Sequence, residues 1–470
     1  MLGEQEIVQR FLTTKLQVHP DVVNYIKSRN DPALIDQILA ELPENTVVVS
    51  TKHIPGMKPE RDGMRFLGDP QLEILKGADG TSSATGNFEV FIHYFRDRYN
   101  RLGEIIRART PAVPIQALNK NTIYRQQQDC TLIGMVSDIR STTHGHRLGE
   151  IEDPTGQISV LFNKDRPVFR EAERIVPDEV IGIHGKLSND GKLFFADSII
   201  HPDIPLTHAP YRSDRPGKAI LISDTHIGSD KFLEKEWERF SDWVARSEVQ
   251  YLLIAGDLVD GIGVYPNQDA ELLIRDSYEQ YAKLGEILAA IPSRIKIILS
   301  PGNHDIVRGV EPQPAIPEIF RVKFPKNCVW VENPCFLSLQ GVRVLMYHGR
   351  SIDDMIGFIP DASYSHPQQM MEEMLRRRHL ALTYGKRVPL AAEKQDRLII
   401  DPIPEVLHTG HIHTSGITTY RGVLGINAGA WQSQTSFQKQ MNINPTPGRA
   451  VVLDLQTLEP QLLDFMDDRF

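Results

Sequence analysis

Five short polar segments, each at the end of an apolar run, constrain the fold of this chain more than any other feature. They are Asp224-Thr225-His226, Gly256-Asp257, Gly302-Asn303-His304-Asp305, His348-Gly349 and Gly410-His411-Ile412-His413. The runs before the first two, residues 219–223 and 251–255, are typical of buried strands. Because open α/β sheets bind ligands beyond the carboxyl ends of their strands, we expect the five segments to converge on one site.

The residue types in these segments indicate a two-metal phosphoesterase site. Two cations about 3.5–4 Å apart can activate water and clamp both the attacking and the leaving oxygen of a phosphodiester. Asp257 is the predicted bridging ligand, because Gly256 lets the backbone come close. The other predicted ligands are Asp224, His226 and His413 for one metal, and Asn303, His348 and His411 for the other.

The same segments carry three finer predictions. His411 and His413 are two residues apart, and period-two geometry predicts that both face the site. Imidazole mixed with oxygen ligands suits manganese, iron or zinc better than magnesium, and we expect manganese. His304 is predicted to protonate the leaving oxygen or to stabilise charge on the phosphoryl group, while Asp305 braces the loop or orients His304.

Each segment alone has a plainer explanation. Gly-Asp or His-Gly commonly closes a strand turn, and a single histidine is more often hydrogen-bonded than metal-bound. As an ordered set within residues 224–413, however, they resemble the calcineurin-like metallophosphoesterase superfamily, and no ligand position is missing. The resemblance implies an α/β sandwich with two divalent metal ions, but a fold alone does not choose a substrate.

Length and composition set the broad class. A chain of 470 residues predicts about three domains at roughly 150 residues per domain. With 41% hydrophobic and 24% charged residues, and no apolar run long enough to span a membrane, we expect a globular, cytoplasmic protein. Cys130, Cys328 and Cys335 form no close pair, so buried free thiols are expected. A net charge of −9 argues against a wholly basic nucleic-acid coat but leaves room for a local basic groove.

Helical patterns dominate the first quarter of the chain. Residues 1–42 predict a small helical module of three short helices, with Asp31-Pro32 as one helix start. Whether this module docks a partner or is only a decoration stays open. Residues 43–85, rich in glycine, proline and polar residues, predict a flexible linker. An amphipathic helix and connector follow at 86–115, with an apolar stripe expected to pack on the next domain. Arginines, including Arg98, lie on the other faces, where we expect solvated side chains more than phosphate contacts.

Short strands separated by turn signals fill residues 116–205 and predict an OB-fold barrel. Turns are expected at residues 153–156 and 189–191, where Asn and Gly accept positive φ, and a brief helix is expected near residues 166–174. Few aromatic residues of the kind that stack on single strands are present, so a structural or subunit-contact barrel is at least as well supported as a nucleic-acid-binding one. Residues 206–470 then form the phosphoesterase domain.

An OB-like domain ahead of a complete phosphoesterase resembles the B-subunits of replicative DNA polymerases, in particular the small-subunit family of the archaeal D-family DNA polymerases. That resemblance covers essentially the whole chain. It implies a 3′→5′ proofreading exonuclease that releases nucleoside 5′-monophosphates from the primer 3′ end. It also implies a large catalytic subunit as partner, with the sliding clamp reached through the holoenzyme.

A basic segment between the fourth and fifth ligand segments looks like that family's insertion. Its residues Arg376, Arg377, Arg378 and His379 follow an amphipathic stretch. A solvated helix face is the commonest explanation of such a run, whereas beside a phosphodiesterase site it would guide the DNA backbone.

Three other functions compete with this one. A double-strand-break repair nuclease of the same superfamily shares the ligand segments, but its phosphoesterase begins near the N-terminus, whereas here about 210 residues come first. A small-molecule or protein phosphatase would use the same metals. An inactive scaffold or processivity subunit would need none of the ligands, and their retention argues against it.

Overall fold

The computed structural model describes residues 4–14, 16–18, 20–29, 33–42, 48–49, 69–77, 87–120 and 129–467. The chain divides into two units, the first formed by residues 1–66 with 246–248 and the second by 67–245 with 249–470. Within the described residues, none of the helices is both long and apolar enough to cross a membrane.

The first unit is helical, as predicted. Its elements are α1 (Glu4–Thr13), β1 (Gln17–Val18), α2 (Pro20–Arg29), α3 (Ala33–Glu41) and β2 (Val48–Val49), with β1 and β2 parallel. Ile7, Phe11, Val23, Ile26 and Ile38 are among the side chains of its small core. The predicted helix start at Asp31-Pro32 lies outside the described residues.

The second unit contains the predicted amphipathic helix, α4 (Phe88–Arg107), followed by α5 (Ile115–Lys120). Asn87 caps α4 by accepting a hydrogen bond from the Glu89 amide. Tyr99, Leu102 and Ile106 pack on the next domain, which confirms the packing role of the apolar stripe. Phe88, at the start of that stripe, is instead exposed.

The observed position of Arg98 differs from the predicted one. Its position off the apolar stripe predicted a solvated side chain, yet it is fully buried and its Nε lies 2.7 Å from Asp396 Oδ2. Its guanidinium also donates to the carbonyl of Leu382 at 2.6 Å. A buried arginine requires such partners, and these come from residues nearly 300 positions away, which helix periodicity does not reveal.

The predicted OB fold is a closed five-stranded barrel. Its strands are β4 (Cys130–Ser141), β5 (Arg147–Asp153), β6 (Gly156–Phe162), β7 (Val180–Leu187) and β8 (Leu193–Ile200), joined in the order β4-β5-β6-β8-β7. The short helix α6 (Phe169–Ala172) lies between β6 and β7. At the predicted β5–β6 turn, Asp153 Oδ1 accepts from the amides of Thr155 and Gly156.

Two six-stranded sheets form the remainder of the second unit. In pairing order, the first sheet contains β12 (Cys328–Trp330), β11 (Lys296–Ser300), β10 (Tyr251–Ala255), β9 (Lys218–Ile222), β18 (Arg449–Asp454) and β19 (Pro460–Asp464). Also in pairing order, the second sheet contains β16 (Gly416–Tyr420), β17 (Val423–Asn427), β15 (Val406–Thr409), β14 (Val342–Met346), β13 (Cys335–Leu339) and β3 (Leu72–Lys76).

Helices cover the outer faces of both sheets, which gives the predicted α/β sandwich. They are α7 (Glu234–Arg246), α8 (Ser277–Leu288), α9 (Ile352–Phe358) and α10 (Pro367–Arg377). A further short helix, α11 (Ser436–Gln440), follows β17. α7 and α8 cover the first sheet through Phe240 and Tyr281, and α9 and α10 cover the second through Met355 and Met374. Leu253, on β10, belongs to the apolar layer between the two sheets.

Strand β3 corrects the linker prediction for residues 72–76. These residues lie inside the predicted flexible segment 43–85, yet they pair antiparallel with β13 and complete one edge of the second sheet. The glycine and proline residues around this strand led to the linker prediction, and its partner strand comes some 260 residues later in the chain. Residues 43–47, 50–68 and 78–85 of that segment are outside the described part of the chain.

Candidate metal centre

The five predicted segments converge at one end of the sandwich. Asp224, Asp257 and Asn303 follow the parallel strands β9, β10 and β11 of the first sheet. His348 follows β14, and His411 with His413 follows β15, in the second sheet. The two sheets therefore bring their strand ends to one place, and the predicted convergence is what the structure shows.

The backbone at this site is strained. Five predicted ligands have positive φ, namely Asp224 (54°), His226 (46°), Asp257 (48°), His411 (73°) and His413 (55°). Non-glycine residues in this conformation cost of order 1–3 kcal/mol each and persist where the surrounding structure enforces them. Such clustering is typical of a functional site rather than of turns chosen for stability.

Positive φ also changes the reason why both histidines of the last segment reach the site. Period-two geometry was expected to place His411 and His413 on the same side of an extended chain. The segment beyond Thr409 is bent instead of extended, and both residues are left-handed. The two rings therefore reach the site through a bend, and the prediction of an extended strand here is wrong.

Small residues make room for this convergence. A Cβ on Gly256 would collide with the ring of His348, and one on Gly302 would collide with Asp257. A Cβ on Gly410 would collide with the Asp224 carboxylate. Three of the ligand segments thus need glycine for close approach of neighbouring ligands.

The first group of ligand atoms comes from Asp224, His226 and His413, as the sequence predicted. His226 Nε2 lies 3.0 Å from His413 Nε2, and His413 Nε2 lies 3.5 Å from Asp224 Oδ1. All three side chains are buried. Two imidazole nitrogens and a carboxylate oxygen facing one another suit a cation.

The second group contains Asp257, His348 and His411. Asn303 belongs beside them, because its Oδ1 lies 3.0 Å from His348 Nε2. The other ring nitrogen of His348 donates to the carbonyl of Ala255 at 2.9 Å, which leaves Nε2 for the site.

Asp257 lies between the two groups. Its Oδ2 is 3.3 Å from His348 Nε2 and 3.7 Å from His226 Nε2. Burial alone would raise the pKa of this carboxyl, but the charges of His348 and His304 hold its pKa well below the usual range. Burial is likewise outweighed at the histidines, where the nearby carboxylates raise the pKa of His226 to about 9 and that of His348 to about 10.

Several residues that hold the ligands were missed from the sequence. Asp260 Oδ1 accepts from His226 Nδ1 at 2.9 Å, and Asp353 Oδ2 accepts from His411 Nε2 at 3.1 Å. The amide of Gln438 lies 2.8 Å from His413 Nδ1. Carboxylates that fix a histidine tautomer are common around metal sites. Of these three residues, Asp260 alone could have been found from the sequence, because it follows the ligand Asp257 by three positions. Asp353 and Gln438 lie on helices α9 and α11, outside the five segments.

His304 lies beside both groups. Its Nδ1 donates to the carbonyl of Asp260 at 2.7 Å, and its Nε2 is 4.0 Å from Asp257 Oδ2. Burial lowers the pKa of its ring. Asp305 braces the loop, as one of its predicted roles required, because it accepts from the amides of Leu258 and Gly302 and from the Tyr281 hydroxyl.

A cavity of about 260 Å³ opens above these side chains. Beyond the candidate ligands its lining includes Val264, Tyr265, Tyr364, Arg387, Phe437 and Met441. Asp257, Asn303 and His304 form part of its floor. A substrate therefore has direct access to the two groups.

The predicted DNA contact at residues 376–379 is wrong for three of its four residues. Arg377 is buried and its Nε lies 2.7 Å from Glu179 Oε2 of the barrel. Arg378 donates to the carbonyl of Ile400 at 2.7 Å, and His379 Nε2 lies 2.8 Å from Asp396. Arg377 thus joins the sandwich to the barrel, whereas Arg378 and His379 have partners within the phosphoesterase domain, and all three are buried. Arg376 is partly exposed and pairs with Glu373 at 3.5 Å, so its role stays a prediction.

Two family models match the chain. The model that describes the B-subunit of DNA polymerases alpha and epsilon matches residues 219–417. The model described as OB-fold nucleic acid binding domain matches residues 130–205, which are the residues of the closed barrel.

Curated relatives extend the match to most of the chain. A DNA polymerase II small subunit of Halobacterium salinarum is 44% identical over 85% of this chain and 80% of its own length. That of Archaeoglobus fulgidus is 44% identical over 81% and 78%, and that of Thermoplasma acidophilum is 34% identical over 99% and 93%. A solved structure of an archaeal phosphodiesterase is 13% identical to this chain, with a TM-score of 0.28. That match covers 52% of this chain and 98% of the phosphodiesterase chain.

Proposed function

Because the chain belongs to the family of DNA polymerase II small subunits, we propose that it is a two-metal 3′→5′ exonuclease that proofreads newly made DNA. In this proposal it hydrolyses the 3′-terminal phosphodiester and releases nucleoside 5′-monophosphates. The observation that carries the proposal is the convergence of seven predicted ligands at one end of the sandwich, where His226, Asp257, Asn303, His411 and His413 line one cavity. Five of the seven have strained, left-handed conformations.

The donor atoms suit divalent cations. Because His226 Nδ1 donates to Asp260, Nε2 is the ring nitrogen that faces His413 and that would bind a cation once deprotonated. Asp257 Oδ2 lies close enough to both groups to serve two ions. When bound, two ions would supply a water-derived nucleophile and neutralise charge on the phosphodiester. Manganese is the proposed metal, with iron, zinc or magnesium as alternatives, because imidazole and oxygen ligands are mixed.

His304 is the proposed proton carrier. Its bond to the Asp260 carbonyl keeps a proton on Nδ1 and turns Nε2 toward Asp257. The doubly protonated ring would give the proton on Nε2 to the 3′ oxygen that leaves. Asp260 and Asp353 position His226 and His411, and so act on the reaction through those rings.

The proposed partner is the large catalytic subunit, contacted mainly through the barrel and the phosphoesterase domain, with the sliding clamp reached through the holoenzyme. The substrate is the 3′ end of single-stranded or mismatched primer DNA. Family membership supports the first partner.

Digestion of 5′-labelled single-stranded and mismatched primer DNA in manganese tests the proposal. Wild type should give a descending ladder and release nucleoside monophosphates, whereas Asp257→Ala should give neither. Asp269→Ala, which changes an exposed carboxylate of the same domain, is the matched control and should behave as wild type.

Each rival function predicts a different result. Absence of cleavage, even with the large subunit added, would support the inactive scaffold. Cleavage within the strand or at hairpins would support a repair nuclease. Hydrolysis of phosphomonoesters with intact DNA would support a phosphatase.

A further inference from the structure

The cavity above the candidate metal centre has an apolar wall that the metal chemistry does not use. Val264, Phe437, Met441 and Ile443 line it. Phe437 is 55% exposed and Met441 52% exposed, although both border a cavity whose floor is polar. Large apolar side chains exposed next to a reactive centre are typical of a surface that binds part of a substrate.

This wall is fixed to the metal centre. Phe437 lies on α11, whose first turn is closed by a capping box between Thr435 and Gln438. The side-chain nitrogen Nε2 of the same Gln438 lies 2.8 Å from Nδ1 of the candidate ligand His413. The position of the Phe437 ring is therefore tied to the position of a ligand.

Another part of the lining carries a positive charge. Among the described residues that line this cavity, Arg387 is the one arginine or lysine. Tyr364, also in the lining, donates through its hydroxyl to Asp353 Oδ1 at 3.0 Å. The backbone amide of Arg387 donates to Asp354 at 3.0 Å and holds this segment in place. A guanidinium at the mouth of a site that binds cations is suited to bind a phosphate.

We propose that Phe437 and Met441 bind the base of the 3′-terminal nucleotide by stacking, while Arg387 binds a phosphate of the same strand. The inference rests on the proposed function, since it assigns the substrate end that the metal centre would cleave. A base can lie against a protein wall only after it leaves the duplex, which is easiest for a mismatched or single-stranded end. Phe437 would thus contribute to the selection of unpaired ends.

Two substrates separate base binding from chemistry. One is a single-stranded oligonucleotide with an ordinary 3′ nucleotide, and the other has a 3′-terminal nucleotide without a base. With the full chain and the large subunit, Phe437→Ala should raise KM for the first about 5- to 150-fold, which corresponds to about 1–3 kcal/mol per stacked base. It should leave KM for the second substrate and the binding of manganese unchanged, and Phe437→Trp should restore the wild-type value.

Phe88→Ala is the matched control, because Phe88 is also an exposed phenylalanine but lies on α4, outside this cavity. Arg387→Gln should raise KM for both substrates and reduce the slope of log affinity against log salt by about 0.7, as expected for one phosphate contact on a single strand. Arg275→Gln, an exposed arginine of the same domain, should change neither quantity.

The inference is overturned if Phe437→Ala changes cleavage of the two substrates equally or changes neither. Weaker assembly of Phe437→Ala with the large subunit, without a change in substrate discrimination, would overturn it too, since the wall would then bind protein. If wild type cleaves neither substrate, the proposed function fails. Fluorescence anisotropy of wild type and Phe437→Ala with the same two oligonucleotides then decides the inference separately, because the substitution should weaken binding of the first oligonucleotide only.

Discussion

At the scale of single residues, the geometry separates ligands from the groups that act beside them. Asp257 lies between two groups of candidate ligands, whereas His304 lies at their side, with its ring 4.7 Å from that of His226 and its Nε2 4.0 Å from Asp257 Oδ2. Asp257→Ala should therefore lose both metal binding and turnover. His304→Ala should lose turnover by about 10²–10⁴-fold with metal binding largely kept. Manganese binding and single-turnover cleavage measure the two effects, and equal metal loss in both variants would make His304 a ligand.

A second residue-scale prediction concerns Asp353, which holds the His411 ring through Nε2 at 3.1 Å. Since that bond leaves Nδ1 for a cation, Asp353→Asn should weaken metal affinity by about 10–100-fold without removing any ligand. Calorimetric titration with manganese measures this change. Asp361→Asn, an exposed aspartate after α9, is the control. An unchanged affinity in Asp353→Asn would show that the carboxylate does not position His411.

At the scale of elements, one buried ion network joins the barrel to helix α10. Glu373 on α10 pairs with Arg174 of the barrel, with Nε to Oε1 at 2.9 Å, and with Arg377 on the next turn. Glu373→Gln removes the carboxylate that Arg174 and Arg377 share and leaves Glu179 as the carboxylate that faces Arg377. The variant should therefore destabilise the second unit by about 3 kcal/mol, the low end of the cost of breaking a buried pair. Urea unfolding measures the loss. The exposed pair of Arg140 and Asp138 is the control, where Asp138→Asn should change stability by less than about 1 kcal/mol.

The same glutamate predicts a pH dependence. Burial opposes its ionisation, but the charges of Arg377 and Arg174 outweigh burial and lower the pKa of Glu373 from 4.5 to about 2. A carboxyl with a lowered pKa contributes stability above its unfolded value and loses that contribution as pH falls through its folded value. The difference in unfolding free energy between wild type and Glu373→Gln should therefore shrink from pH 5 toward about pH 2. A difference in unfolding free energy that stays constant over this range would contradict the lowered pKa of Glu373.

At the scale of the whole molecule, the strain at the candidate metal centre links metal binding to folding. Five ligands are held with positive φ, and buried histidines and carboxylates face one another. Cations that bind only the folded chain stabilise it by mass action, by about 2.7 kcal/mol at a concentration 100 times Kd. Manganese should therefore raise the melting temperature of wild type, a chelator should reverse the rise, and Asp257→Ala should show neither effect. Equal stabilisation of Asp257→Ala would place the bound ions elsewhere.

Sequence by itself determined the elements whose signals are local. Apolar runs ending in Asp, Asn and His located β9, β10 and β11 and the site beyond them, and alternating residues with Gly and Asn turns located the barrel. These patterns succeed because a strand end and a tight turn each need particular residue types within a few positions.

Only the tertiary structure decided the features that depend on distant partners. Strand β3 pairs with β13 across a long separation, and Arg98 is buried because Asp396 folds back to meet it. Arg377 and His379, which the sequence predicted on a solvated or DNA-facing surface, are buried for the same reason. In the bend that brings both His411 and His413 into the site, the His411 amide likewise meets a distant partner, because it donates to Asp224 Oδ2 at 2.9 Å. A side chain's burial depends on what packs against it, and periodicity reports only which residues share a face.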